Sequence, residues 1–193
     1  NLDSKNIDSE KPIIAVLPGS RKQEIAASLP IMMKVAKYFE NYQFIIAGAP
    51  SISVDYYRSI TKDSYMPVLS NKTHALLKEC KAAIITSGTA TLEAAILGAP
   101  QVVCYKTSFI SYIIGKLLVK VKYIALVNLI CDKEVVKELI QDDFNIENLV
   151  NELNYILNNK NRIQILSNYN KIIDLLGEEG ASKRAAKAII SLN

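Results

Sequence analysis

Short runs of apolar residues, many of them β-branched, alternate with stretches of helical periodicity between residues 13 and 129. Each run is apolar at consecutive positions, which predicts strands that are buried on both faces. Strands of this kind, joined by helical crossovers, form a parallel sheet. The pattern therefore predicts an α/β fold, a Rossmann-like parallel sheet with helices on both faces. The predicted strands are IIAVL (13–17), YQFIIAG (42–48), MPVLS (66–70), AAIITS (82–87), QVVCY (101–105) and YIALVNL (123–129).

The carboxyl-terminal part of the chain has a different pattern. No strand is predicted after about residue 133, and three amphipathic helices follow, within residues 145–159, 162–177 and 181–192. Residues 1–11 are polar and lack the apolar centre of a signal peptide, so we predict a linker or tail there. Residues 12–193 then form one domain.

Composition narrows the classes of function. The chain has 193 residues, of which 50% are hydrophobic and 22% charged, as is typical of a globular domain. Its 3 cysteines show no CxxC spacing and it has 1 histidine, so no metal site is predicted. The formal net charge of +4 suits phosphate-bearing ligands or an anionic membrane surface and requires neither.

The most apolar segment, residues 108–130, resembles a membrane span in length only. Lys116, Lys120 and Lys122 interrupt it, so we predict a helix followed by a strand instead. The lysines lie beside apolar residues and leave two interpretations open. This segment either presents a face to lipid headgroups or forms an ordinary amphipathic helix.

The first candidate site is the loop LPGSRKQEI (17–25), which follows the first predicted strand. Ligands of open parallel sheets bind beyond the carboxyl ends of the strands. Gly19 and Ser20 expose backbone amides at that edge, and Arg21 can meet a phosphate with two parallel hydrogen bonds. The pattern favours a phosphate-contacting loop.

The start of the helix after this loop has two interpretations. Pro30 suits the first turn of a helix, which predicts a regular helix from about Leu29 and a shaped loop over residues 19–28. The alternative is a capping box from Ser20 to Gln23, which begins the helix earlier.

The second candidate site follows the fourth predicted strand. Gly88 permits close approach of the backbone, and Thr89 and Ala90 place amides at a predicted helix start, where anions bind. Glu93, one turn further along, can accept hydrogen bonds from the vicinal hydroxyls of a ribose; the alternative is a carboxylate that only favours the helix dipole. Neither loop matches GxxxxGK[ST] or GxGxxG, which argues against an ATPase or an NAD enzyme.

Two further polar residues have milder predictions. His74 follows SNKT at a predicted helix start, and we expect it to lie on the surface. Lys106 ends a strand on the binding side of the sheet, where it faces either a phosphate or solvent.

Three segments together resemble a known family. LPGSRKQEI (17–25), SGTATLEAAILGAPQVVCYK (87–106) and NLICDKEVVKELIQDDF (128–144), in this order, are similar to the carboxyl-terminal half of lipid-A-disaccharide synthase, a GT-B glycosyltransferase. The resemblance spans residues 12–192. It implies two Rossmann-like halves around a cleft, of which this chain is the donor-nucleotide half. It also implies transfer of diacylglucosamine from its UDP donor to diacylglucosamine 1-phosphate, with inversion and without a metal or other cofactor.

The resemblance implies roles for the residues that match its motifs. Arg21 stabilises charge on the departing UDP, and Glu93 binds the ribose. The other implied nucleotide-binding residues are Gly19, Ser20, Ser87, Gly88, Thr89, Ala90 and Asn128. Further candidates are Lys106, Glu138 and Gln141. The chain departs from the family pattern at Val127, where a proline is usual, and at Asp132, where a glycine is usual.

The resemblance places the general base and most of the acceptor surface in an amino-terminal half that this chain lacks. These residues alone are therefore expected to bind UDP-diacylglucosamine weakly and to transfer nothing. The implied setting is the cytoplasm, and no nucleic-acid partner is expected. Peripheral contact with inner-membrane lipids and formation of a homodimer are both left open. Two other hypotheses stand: the donor domain of another UDP-GlcNAc-type transferase or epimerase, and a non-catalytic nucleotide-binding module.

Overall fold

The computed structural model describes residues 7–62, 66–86, 88–106, 122–177 and 180. The strands in this part of the chain are β1 (Ile13–Leu17), β2 (Gln43–Gly48), β3 (Val68–Ser70), β4 (Ala82–Thr86), β5 (Gln101–Tyr105) and β6 (Lys137–Ile140). The helices are α1 (Lys22–Val35), α2 (Val54–Thr61), α3 (Thr73–Glu79), α4 (Ala90–Ile96), α5 (Leu126–Cys131), α6 (Ile146–Leu157) and α7 (Asn159–Leu176). Short 3-10 turns lie at Ala36–Tyr38 and Gln141–Asp143.

All six strands are parallel and form one sheet in the order β3-β2-β1-β4-β5-β6. β1 lies between β2 and β4, so that Ile14 pairs with Phe44 on one side and with Ala82 on the other. The chain therefore builds the sheet outward in one direction from β1 and in the other direction from β4. This doubly wound arrangement confirms the predicted Rossmann-like fold.

The central strands carry the core. Every residue of β1 and of β4 is buried, and successive residues face opposite sides of the sheet. Ile14 and Val16 pack in a cluster with the apolar face of α1, whereas Ile13, Ala15 and Leu17 pack in a second cluster with residues of α3. Strands buried on both faces explain the continuous apolar runs in the sequence.

Two predictions about the region after residue 122 were wrong. The segment YIALVNL (123–129), predicted as a strand, instead contains the start of α5, and the sixth strand is KELI, residues 137–140, in a region where no strand was predicted. Apolar runs this short do not distinguish a helix from a strand. The edge strand β6 pairs with β5 alone and buries Leu139 but exposes Lys137, so it shows no continuous apolar run.

A contact between distant segments stabilises α5. The Glu138 carboxylate accepts hydrogen bonds from the backbone N–H groups of Ile124 and Ala125, at 2.9 and 3.0 Å. These groups lie at the start of α5, where helical N–H groups lack partners within the helix. A carboxylate from β6 therefore stabilises the start of this helix.

The expected helix start near Leu29 was also wrong. α1 begins at Lys22 and contains Pro30 in its interior. Proline cannot donate to the carbonyl of residue 26, four positions earlier, but Ala26 lies on the exposed face, where water can replace the missing donor. Glu24 stabilises the early start, as described below.

Several predictions fall outside the described residues. They concern Ser87, the lysine-containing segment up to residue 121 and the third carboxyl-terminal helix. The other two carboxyl-terminal helices are confirmed as α6 and α7. None of the helices in the described ranges has both the length and the apolar character needed to cross a bilayer.

The buried thiols and phenols predict how stability depends on pH. Burial raises the pKa of Cys80 from 9.0 to about 12, and it raises the pKa of Cys104, Tyr57 and Tyr169 above their ordinary values. The folded state holds these protons more tightly than the unfolded state, so their contribution to stability is complete below the unfolded thiol pKa of 9.0 and is lost as pH rises toward about 12. Urea unfolding midpoints are therefore expected to fall steadily from pH 9 to pH 11.

The substitution Cys80→Ala provides the control for this prediction. It removes one of the groups that hold a proton more tightly when folded, so the slope of stability against pH should become shallower even if the variant is less stable at pH 7. An identical slope in both proteins, or a stability that rises above pH 9, would contradict the assignment.

Candidate nucleotide-binding cleft

A cleft of about 400 Å³ opens at the carboxyl edge of the sheet, where β1 and β4 lie side by side. Crossovers leave these two strands in opposite directions, which makes this the position where open α/β sheets bind ligands. The lining comes from the ends of β1, β2 and β4, from the loops that follow these strands and from the first turns of α1, α3 and α4. Its residues are Leu17, Gly19, Ser20, Arg21, Glu24, Ala47, Ala49, Pro50, Thr73, Thr86, Gly88, Thr89, Ala90 and Glu93.

Glu24 organises the loop after β1. Its carboxylate accepts hydrogen bonds from the N–H groups of Ser20 and Arg21 at 3.0 and 3.3 Å and forms an ion pair with the Arg21 guanidinium at 2.9 Å. The side chain lies over Gly19, where a Cβ would come within 2.7 Å of the Glu24 Cβ and where φ is +121°. Glycine is therefore required at this position. The capping interaction runs from Arg21 to Glu24, not from Ser20 to Gln23.

Arg21 remains accessible despite this ion pair. Its side chain is 81% exposed, and it is the one positively charged residue among the described residues that line the cleft. The predicted residues Gly19, Ser20 and Arg21 thus all lie at the cleft wall.

The loop after β4 forms the facing wall. The hydroxyl and N–H of Thr91 both donate to the Gly88 carbonyl, at 2.8 and 3.2 Å, which closes the first turn of α4. The amides left for a ligand are those of Thr89 and Ala90, for which the described residues supply no acceptor. A Cβ at Gly88 would meet nothing within 4 Å, so the space above this turn is open.

The loop after β2 completes the cleft. Ala49 donates its N–H to the hydroxyl of Tyr57 at 2.9 Å, and Tyr57, a residue of α2, is fully buried. This bond anchors a loop whose residues Ala49 and Pro50 line the cleft.

Glu93 projects from the first turn of α4 into the cleft with 41% of its side chain exposed. Its Oε2 atom lies 2.8 Å from Nε2 of His74, on α3. His74 is 69% exposed, which confirms its predicted surface position. The sequence did not predict the contact with Glu93, because the two residues are 19 positions apart and only the fold brings them together.

The structure does not bring Asn128 to the cleft, although it was predicted to bind nucleotide. Asn128 is completely buried, its Nδ2 donates to the Val136 carbonyl and to Glu138, and its Oδ1 accepts from the N–H groups of Val135 and Val136. Two donors and two acceptors exhaust the capacity of the amide. Asn128 and Glu138 together connect α5 to β6.

Lys106 and Gln141 occupy equivalent positions at the same edge of the sheet. They follow Tyr105 and Ile140, which pair in the β5–β6 register, and Lys106 is exposed. The cleft lining within the described part of the chain does not include Lys106, Asn128, Glu138 or Gln141. A role for Lys106 or Gln141 in nucleotide binding stays a prediction.

The two departures from the family pattern fit the local backbone. Asp132 caps the carboxyl end of α5 in the left-handed conformation, with φ +46° and ψ +34°. Glycine adopts this conformation without strain, and aspartate is among the few other residues that tolerate it. Val127 is buried in the first turn of α5, where a helix also accepts proline.

Within the described ranges, no group of three or more His, Cys, Asp and Glu side chains is arranged to hold a metal ion. The described residues of the cleft offer backbone amides, four hydroxyl side chains, one guanidinium and two carboxylates, with the imidazole of His74 at the rim.

Comparison with known families identifies the relatives of this chain. The model of the lipid-A-disaccharide synthetase family matches residues 1–191. The chain belongs to this family. The lipid-A-disaccharide synthase of Sulfurihydrogenibium sp. is 36% identical over 97% of the chain and 53% of its own length, and that of Syntrophus aciditrophicus is 37% identical over 93% and 49%. The chain thus spans about half the length of the curated synthases that it matches.

Two glycosyltransferases are among the solved structures with a similar fold. The calicheamicin glycosyltransferase CalG4 superposes with a TM-score of 0.60 at 13% identity, over 97% of this chain and 43% of that one. The E. coli ADP-heptose lipopolysaccharide heptosyltransferase II superposes with a TM-score of 0.57 at 18% identity, over 78% and 48%. At these identities the likeness concerns the fold, that of one half of a GT-B glycosyltransferase.

The saturated amide of Asn128 leads to a stability prediction. Asn128→Ala leaves two N–H groups, a carbonyl and Glu138 without their partner, so we expect the free energy of unfolding to fall by about 2–4 kcal/mol. Urea denaturation measures this loss. Asn154→Ala, on the exposed face of α6, is the matched control and should change stability by less than about 0.5 kcal/mol. Equal effects of the two substitutions would contradict the structural role of Asn128.

Proposed function

We propose that this chain is the donor-nucleotide-binding part of a lipid-A-disaccharide synthase and that the cleft between β1 and β4 binds the UDP group of UDP-diacylglucosamine. The observation that carries the proposal is the convergence of two loops, residues 19–21 and 88–93, on one cleft. Membership in the family supports it. The cleft volume of about 400 Å³ lies within the range of roughly 300–1,000 Å³ that is usual for small-molecule sites.

The charges in the cleft suggest how the nucleotide is oriented. Arg21 and the amides of Thr89 and Ala90 offer donors to the diphosphate. Glu93 would repel a phosphate but can accept hydrogen bonds from both hydroxyls of a ribose. The proposed pose therefore has the diphosphate between the loops after β1 and β4 and the ribose beside Glu93.

The proposed reaction is an inverting displacement at the anomeric carbon of the donor sugar. A hydroxyl of diacylglucosamine 1-phosphate attacks this carbon, the bond to the UDP oxygen breaks, and the electron pair leaves with UDP. The Arg21 guanidinium stabilises the negative charge that develops on the departing diphosphate. Glu24, which pairs with Arg21 at 2.9 Å, holds the guanidinium at the cleft wall.

The attacking hydroxyl must lose a proton to a base and must be held in line with the breaking bond. We assign both tasks, and most of the acceptor contacts, to the part of the longer synthase that these residues do not span. The chain by itself is then a nucleotide-binding unit without transferase activity. The assembled enzyme would work in the cytoplasm, with peripheral contact to the inner membrane and in the form of a homodimer.

The proposal predicts selective binding of UDP. Calorimetric titration of the chain is expected to show tighter binding of UDP than of ADP. Glu93→Ala is expected to lower the affinity for UDP by about tenfold or more, because a hydrogen bond to a charged group is lost. Glu79→Ala removes the same charge from the far end of the neighbouring helix α3 and serves as the matched control. It should bind UDP like the original chain.

Two results would contradict the proposal. One is equal affinity for UDP and ADP, which would fit a donor other than a uridine nucleotide. The other is an unchanged UDP affinity in Glu93→Ala, which would leave Glu93 as a carboxylate that only favours the helix dipole.

Incubation of the chain with UDP-diacylglucosamine and diacylglucosamine 1-phosphate should yield no disaccharide.

A further inference from the structure

The contact between His74 and Glu93 joins two helices at the rim of the cleft. Nε2 of His74, in the first turn of α3, lies 2.8 Å from Oε2 of Glu93, in the first turn of α4. Thr73, the residue before His74, lines the cleft itself. The imidazole therefore stands beside the carboxylate that the proposed function assigns to the ribose.

The contact limits the positions that the carboxylate can adopt. A glutamate side chain has several rotatable bonds, and a partly exposed one samples many rotamers, whose loss on binding lowers affinity. A hydrogen bond from His74 to Oε2 selects one of them before the ligand arrives. The imidazolium donates from Nε2, and so does the neutral ring in the tautomer that carries its hydrogen on Nε2.

One side of the carboxylate stays open for a ligand. His74 engages Oε2, whereas the described residues place no hydrogen-bond donor on Oε1 of Glu93. Each carboxylate oxygen has two lone pairs, so Oε1 and the second lone pair of Oε2 can accept from two adjacent hydroxyls. A 1,2-diol such as that of ribose has this spacing, and a 2′-deoxyribose lacks one of the two donors.

We infer that His74 is a positioning residue, which holds Glu93 in the rotamer that accepts both ribose hydroxyls and so enables the cleft to distinguish ribonucleotides from 2′-deoxyribonucleotides. The inference rests on the proposed function. His74 acts through Glu93 and makes no direct contact with the reacting atoms.

The test compares UDP with 2′-deoxy-UDP. His74→Ala is expected to lower the affinity for UDP by about threefold to tenfold. This is the size of effect expected when one or two side chains with many rotamers must be ordered on binding. The substitution should weaken 2′-deoxy-UDP less, so that the ratio of the two affinities falls toward one. His74→Gln restores the ratio, because its side-chain amide can donate from a similar position. The melting temperature should not change, since His74 is an exposed residue.

Lys78→Ala is the matched control, an exposed residue one turn further along α3, and should keep both affinities. An affinity ratio in His74→Ala equal to that of the original chain would overturn the inference. Equal weakening of both nucleotides with a lower melting temperature would do the same, because it would indicate a structural role. Glu93→Ala distinguishes failure of this inference from failure of the proposed function. If Glu93→Ala weakens UDP binding while His74→Ala leaves the ratio of the two affinities unchanged, only the positioning role fails. If neither substitution has an effect, the proposed function fails too.

Discussion

The pairing of β1 with β4 determines where the cleft forms. Because all six strands are parallel, every loop that follows a strand emerges at the same edge of the sheet. Because the chain continues from β1 toward β2 and from β4 toward β5, right-handed crossovers carry α1 and α4 to opposite faces. The loops after β1 and β4 separate as they leave the sheet, and the cleft is the space between these two loops. Full burial of both strands fixes its walls.

Two intrachain contacts refine this cleft beyond what the topology supplies. Glu24 holds the amides of Ser20 and Arg21 and pairs with the Arg21 guanidinium, and His74 contacts Glu93 on the facing side. Each contact fixes a charged side chain that would otherwise be mobile in solvent. A site prepared in this way loses less conformational entropy when a ligand binds. The proposed function takes the class of ligand from family membership and the placement of its parts from the local geometry.

The sequence predicted well what depends on local pattern or on parallel topology. β1 and β5 lie within the predicted boundaries, and residues 19–21 and 88–93 meet at one edge as expected. The errors arise where distant residues decide. Glu138 stabilises the start of α5, so an apolar run became a helix, while β6 at the sheet edge lacks a continuous apolar run. Asn128 matched a family motif and lies buried in a hydrogen-bond network away from the cleft, so its role in nucleotide binding stays a prediction.

The proposed function requires the nucleotide to bind at the edge of the sheet between β1 and β4. The most direct test follows the backbone amide resonances of the chain during titration with UDP. Binding at this edge would produce concentration-dependent shifts at residues 19–21 and 89–93. Little change is expected at Gln43 and Gln101, which begin their strands at the opposite edge of the sheet. Shifts concentrated at that opposite edge, or no shifts at saturating UDP, would contradict the proposed function.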